Sequence, residues 1–167
     1  FFLLKVAEQK ADPEGPWHVS HNIWIGGNKE ATNVEALTRR KIRAVLNLSS
    51  QKNGKHYTKE TRIQYIEVNA QDDNACDICG VPFQKALPFL QKCFKDKKQV
   101  LVHCHEGVNR SSAMIIAFLV SEGLASLSTA FHKITHARRG TNLLKNDNFT
   151  QRVIRLSRTY GAIYKEG

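Results

Sequence analysis

The chain has 167 residues, 41% of them hydrophobic, and a net charge of +10, which suits one domain that buries about 70% of its extended-chain surface. Its longest unbroken apolar run, Ala113 to Val120, is far shorter than the ~20 residues of a membrane span, so integral membrane association is not expected. Four cysteines at positions 76, 79, 93 and 104 are too few and too unevenly spaced for a disulfide framework, and the charge points to anionic partners: acidic phosphorylated substrates, nucleic acid or an anionic surface.

In chain order, Phe1-Phe2-Leu3-Leu4 is apolar but lacks a basic leader and a cleavage-like segment, so a signal peptide is not expected. Residues 1–21 are read as an N-terminal arm and 22–167 as the folded domain, with the Pro- and Gly-bearing stretch 8–16 a loop. Ala31, Val34 and Leu37 sit at helical spacing before a strand at 42–48. The polar, Lys-rich stretch from Gln51 to Glu60 predicts a surface loop, and Ile63 to Val68 a strand. Phe83, Ala86, Leu87, Leu90 and Phe94 share one helical face; Pro82 suits a first turn, while Pro88 should bend the helix. A strand at 99–103 then leads, through a short polar loop, to a helix from about Arg110 to Glu122. That helix is apolar almost all round and therefore belongs in the core. Gly123 is a stop signal. Leu127, Ala130, Phe131 and Ile134 form a further helix face, as do Phe149, Val153, Leu156 and Tyr160. Alternating strands and helices predict an α/β fold: a mainly parallel central sheet flanked by helices, with helices gathered towards the C-terminus.

The stretch between that last strand and the core helix carries the chemistry. It reads His103-Cys104-His105-Glu106-Gly107-Val108-Asn109-Arg110-Ser111. A strand, a tight loop and a helix N-terminus in succession make an anion cradle: inward backbone N–H groups and the positive end of the helix dipole converge on one spot. Cys104, at the start of the cradle, stands in positive potential that favours thiolate over thiol. Arg110, at its end, can grip two phosphoryl oxygens in a bidentate fork. A thiolate facing a bound phosphoryl group describes nucleophilic attack on phosphorus. The loop leaves the C-terminal end of a strand, where sheets of this kind place their ligands.

This loop matches the H-C-x5-R-S/T signature of the protein tyrosine phosphatase superfamily, and the chain resembles a dual-specificity phosphatase catalytic domain from about Asn22 to Leu156. Asn22 to Gly27 resembles the family's opening strand, Ile42 to Leu48 its second, Tyr65 to Asp72 the strand leading into its acid loop, and Asn146-Asp147-Asn148-Phe149 the start of its last helix. The resemblance implies a metal-independent enzyme without cofactor, with residues 105–110 (His105, Glu106, Gly107, Val108, Asn109, Arg110) cradling phosphate. It implies phosphorylated proteins as substrates, nucleic acid not being favoured as a partner. A cytoplasmic or nuclear location fits, since a catalytic thiolate must stay reduced.

Thiolate attack needs a proton donor for the departing oxygen. Asp72, Asp73 and Asp77 stand in one loop; the register of the resemblance favours Asp72, with Asp73 in reserve, and capping the next helix is the other role open to Asp72. Ser111 is read as a donor to the sulfur, as a helix cap, or as both. His103 is expected to orient the loop by a ring-to-backbone hydrogen bond. Asn47 either braces the loop, as the family pattern implies, or is a turn residue. His105 is expected to point outward. The Cys76-x2-Cys79 pair lacks two further ligands for zinc and is read as two loop thiols, or as a resolving partner for an oxidised Cys104.

Two other readings stay open at this point. A phosphoinositide or RNA 5′-phosphatase could use the same loop, and Asn109-Arg110-Ser111 is similar to the Asn-Arg-Thr of RNA triphosphatases, which lack an equivalent acid. A non-catalytic phosphopeptide-binding module could be built on the same fold, although inactive relatives typically lose the cysteine or the arginine, and Cys104 and Arg110 are both present.

Overall fold

The computed structural model describes residues 13–165, with side chains described as far as Gly161. The Phe1–Leu4 stretch and most of the expected arm lie outside these residues. Within that arm, Trp17–Ser20 form a strand, β1, which pairs antiparallel with β2 (Ile23–Gly26). The other strands are β3 (Ile42–Asn47), β4 (Gln64–Glu67) and β5 (Gln99–His103). Their order across the sheet is β1-β2-β5-β3-β4, and every pairing except β1–β2 is parallel.

The register has a functional consequence. Gly26 pairs with His103, His103 with Asn47 and Asn47 with Glu67. Four parallel strands therefore end in line, and the loops that follow them emerge side by side at one edge of the sheet. The central strand β5, with the sequence QVLVH, is buried on both faces over its last four residues, as an interior parallel strand must be. Its side chains alternate between two cores. Val100 and Val102 enter the larger one, while Leu101 enters a smaller one with Ala31, Leu37, Ile42 and Val45.

The smaller core is covered by α1 (Asn28–Thr32) and α2 (Val34–Arg39). The spacing of Ala31, Val34 and Leu37 predicts one helix; there are two, because Asn33 breaks the first and caps the second, accepting a hydrogen bond from Ala36 N. The larger core is built by α3 (Val81–Lys95), α4 (Arg110–Ser121), α5 (Leu127–Ala137) and α6 (Asp147–Lys165). All twelve residues of α4 are buried, as its sequence demands. It ends before Gly123, whose φ of +67° suits glycine.

One expectation, for Phe131, needs correction. Helix α3 carries Pro88 in its interior and continues to Lys95. Pro88 is exposed, so water can reach the carbonyl it leaves without a partner, while Phe83, Ala86, Leu90 and Cys93 anchor the opposite face. Phe131 of α5 is 44% exposed and not part of the core. The 51–60 loop is mostly exposed and carries a 3-10 turn at Gly54–His56, but Asn53 within it is fully buried.

Candidate active site

The loop from Cys104 to Asn109 leaves β5 and ends at the N-terminus of α4. Glycine is required in its middle: Gly107 has φ +71°, and a Cβ there would stand 2.6 Å from the carbonyl carbon and oxygen of Gly26. From the other side, a Cβ on Gly27 would meet the His105 carbonyl oxygen at 2.5 Å. The loop thus lies directly against the β2–α1 turn, and Asn28 N donates to the His105 carbonyl at 2.9 Å. Cys104 is 2% exposed at the bottom of a cavity of about 200 Å³ lined by Asp72, Cys104, His105, Glu106, Val108, Asn109 and Arg110. Ser111 Oγ lies 3.3 Å from Cys104 Sγ. Asn109 holds the cap position of α4, so Ser111 stands inside the first turn and does not cap the helix.

Arg110 is held from behind. One of its terminal nitrogens donates to the Leu48 and Ala70 carbonyls at 3.2 and 3.1 Å. Its Nε is buried and makes no hydrogen bond among the described residues, with Asp72 Oδ2 at 3.9 Å. A guanidinium fixed through one nitrogen leaves its other N–H groups for an anion in the cavity.

The three loop carboxylates have separate surroundings. Asp72 faces the cavity, and its carboxylate accepts from Asn109 Nδ2 at 3.3 and 3.1 Å and from Asn146 Nδ2 at 3.1 Å. Asp73 Oδ1 accepts from the backbone N–H groups of Ala75 and Cys76 at 3.0 and 2.8 Å, shaping a local turn. Asp77 pairs with Arg152 at 3.1 Å.

Of the supporting residues, His103 Nδ1 donates to the Cys104 carbonyl at 3.2 Å, while its buried Nε2 has no partner among the described residues. Burial, opposed by that bond and reinforced by the Arg110 charge, pulls the imidazole down to about 4, so it is neutral at physiological pH. Asn47 does not bond to the Cys104–Asn109 loop. Its side chain donates to the Gln51 carbonyl and the Tyr65 hydroxyl and accepts from Ser49 N and Oγ. It therefore shapes the turn whose Leu48 carbonyl receives Arg110. His105 is exposed. Cys76 and Cys79 are free, partly buried thiols that burial pushes up, Cys79 to about 12, and no cluster able to hold a metal ion occurs among the described residues.

Residues not singled out from the sequence complete the site. Asn28 joins the Ser49 and Gln51 side chains to the loop through its own backbone N–H. Asn146, just before α6, reaches Asp72 Oδ1 at 3.1 Å. Arg138 donates to the Glu106 carbonyl at 3.2 Å, and its guanidinium carbon sits 3.9 Å above the Trp17 ring centroid.

The sequence pattern of the family described as "Dual specificity phosphatase, catalytic domain" matches residues 23–159. The chain belongs to the dual specificity phosphatase family. Among its relatives, the dual specificity protein phosphatase OPG106 of vaccinia virus (strain Western Reserve) is 34% identical over 140 residues, 81% of this chain and 78% of that one. Dual specificity protein phosphatase 5 of rat is 31% identical over the same share of this chain, but over 35% of its own length. The fold is also that of a mouse putative dual specificity phosphatase solved in complex with zinc tungstate (TM-score 0.78, 24% identity, 95% and 97% of the two chains covered). Human DUSP28 is similar as well, with a TM-score of 0.76, 21% identity and 90% and 98% coverage. The activity carried by a dual specificity phosphatase domain of this kind is cysteine-based dephosphorylation of proteins, and the lipid, RNA and binding-only readings are not favoured. No helix among the described residues is long and apolar enough to cross a membrane.

Proposed function

We propose that Cys104, Arg110, Asp72 and Ser111 carry out this dephosphorylation in two steps. The phosphoryl group docks on the backbone of residues 105–110 and the free N–H groups of Arg110. The Cys104 thiolate attacks phosphorus; an S–P bond forms as the P–O ester bond breaks, and Asp72 gives its proton to the departing alkoxide or phenoxide. In the second step the Asp72 carboxylate takes a proton from water, the water oxygen bonds to phosphorus, and the S–P bond breaks. Ser111 then donates to the departing sulfur. The observation that carries this reading is one cavity lined by the cysteine, the arginine and the carboxylate together.

Phosphotyrosine and phosphoserine or phosphothreonine proteins are the substrates this supports. The chain is too short to carry the long extra loops that wall a deep slot for a phenyl ring. The phosphate loop contains no Lys, its sole Arg is Arg110, and Glu106 opposes a polyanionic inositol head group. The net charge of +10 adds attraction for acidic substrates or anionic surfaces, and the thiol chemistry fits a reducing cytoplasmic or nuclear location. The test is Cys104→Ser with phosphopeptides: turnover should vanish while tungstate binding persists, since the cradle and Arg110 remain. Turnover close to that of the parent protein would refute the mechanism.

A further inference from the structure

Asp72 stands on an exposed loop that follows β4 and has no regular structure of its own. A carboxylate so placed samples several rotamers, whereas a general acid must lie within hydrogen-bond reach of the leaving oxygen. A 1 Å misplacement of a reacting group can cost about 100-fold in rate. Something must aim it. The carboxylate has Arg110 Nε 3.9 Å away, beyond hydrogen-bond reach, and its hydrogen-bond donors are two amides, one from the phosphate-binding loop and one from the start of α6.

We infer that Asn109 and Asn146 are positioning residues for Asp72, an amide clamp through which the phosphate-binding loop and the start of α6 together aim the acid. This rests on the reading of Asp72 as general acid. Asn109 Nδ2 spans both carboxylate oxygens, at 3.3 and 3.1 Å, while its Oδ1 accepts from Asn146 N at 3.3 Å. Asn146 Nδ2 reaches Asp72 Oδ1 at 3.1 Å and the Asp73 carbonyl at 3.3 Å. Asn109 thus joins the carboxylate to the start of α6, while Asn146 holds both the carboxylate and the backbone next to it. The neighbouring Asn148 differs from both. It donates to the Cys76 carbonyl at 2.7 Å and to the Asp73 carbonyl at 3.4 Å, holding only the loop backbone.

The position of Asn109 gives the clamp its meaning. It immediately precedes Arg110, so the residue that helps shape the phosphoryl cradle also sets the direction of the proton donor. The two functions cannot drift apart without breaking the Asn109 contacts. Both amides present N–H donors to the carboxylate. They therefore also steady the form left after the proton has gone, which must stay in place to receive a proton from water in the second step.

The experiment uses Asn146→Ser, which retains an oxygen able to accept from Phe149 N, the bond that Asn146 makes at 3.4 Å, but loses the amide. On a phosphotyrosine peptide kcat/KM, which reports formation of the phospho-enzyme and not its hydrolysis, should fall about 10-fold, and by less than about 2-fold on an aryl phosphate whose leaving group needs little protonation. In an Asp72→Asn background the same change should have no further effect on the peptide. Asn109→Ser, normalised to its own aryl phosphate rate, should repeat the selective loss and serves if Asn146→Ser does not fold. Equal losses on the two substrates, or a full loss persisting in the Asp72→Asn background, would overturn the clamp. If Asp72→Asn alone shows no leaving-group dependence, the acid assignment fails and the inference falls with it.

Discussion

The Oγ of Ser111 lies 3.3 Å from the Sγ of Cys104, and both side chains are buried. Asn109 holds the helix cap, so the hydroxyl is free to serve the sulfur. Its donation matters when sulfur leaves phosphorus. Ser111→Ala should therefore slow hydrolysis of the intermediate more than its formation. Rapid-quench kinetics should show a burst of leaving group and an accumulated phospho-enzyme; an unchanged ratio of the two steps would leave Ser111 with a packing role alone.

Asp72→Asn should lower turnover of phosphopeptides by about 100-fold or more, within the range for general acids. The loss should shrink on aryl phosphates with weakly basic leaving groups. Asp73→Asn should not show this substrate dependence, because the Asp73 side chain is engaged with the Ala75 and Cys76 backbone. The reverse pattern would move the acid by one residue.

Gly107→Ala combines a left-handed backbone with a Cβ 2.6 Å from Gly26 backbone atoms. The backbone conformation alone costs roughly 1–2 kcal/mol, and the overlap forces the loop away from the β2–α1 turn. Tungstate affinity should weaken by at least about 10-fold while the far-ultraviolet circular dichroism stays close to that of the parent. Intact tungstate binding would show that the loop tolerates the shift.

His103 makes stability depend on pH in a defined window. Its folded value of about 4 lies below the ordinary 6.5. Above pH 6.5 the imidazole is neutral in both states and adds no pH dependence. Between 6.5 and 4 the unfolded chain takes up a proton that the buried ring refuses, so stability falls as pH falls; below 4 this contribution is flat. The full loss amounts to about 3 kcal/mol. Urea unfolding at pH 7 and pH 4.5 should show a smaller drop for His103→Gln than for the parent. Equal drops would place the acid sensitivity elsewhere.

The cradle was legible in the sequence because its parts are contiguous: nucleophile, glycine, arginine and serine fall within eight residues, and each chemistry needs its own residue type. The strands and the buried helix α4 were legible for a similar reason, since burial on all sides leaves an unbroken apolar run. Asn28, Asn146 and Arg138 were not. Each acts on a segment tens of residues away, and each bonds a backbone carbonyl there that carries no sequence label, and an asparagine at a helix start looks the same whether it caps or clamps. Strand β1 was missed because four residues, WHVS, beside a Pro- and Gly-bearing stretch carry too little pattern.

The contact between Arg138 and Trp17 changes what counts as the catalytic unit. The family match begins at residue 23, yet Trp17 lies upstream of it, on β1. Its ring is the floor on which Arg138 rests while that guanidinium holds the Glu106 carbonyl. A fragment cut at the family boundary would keep every residue assigned to chemistry and lose the platform under one of their supports. β1 is therefore part of the support of the phosphate-binding loop, joined to it through a single guanidinium.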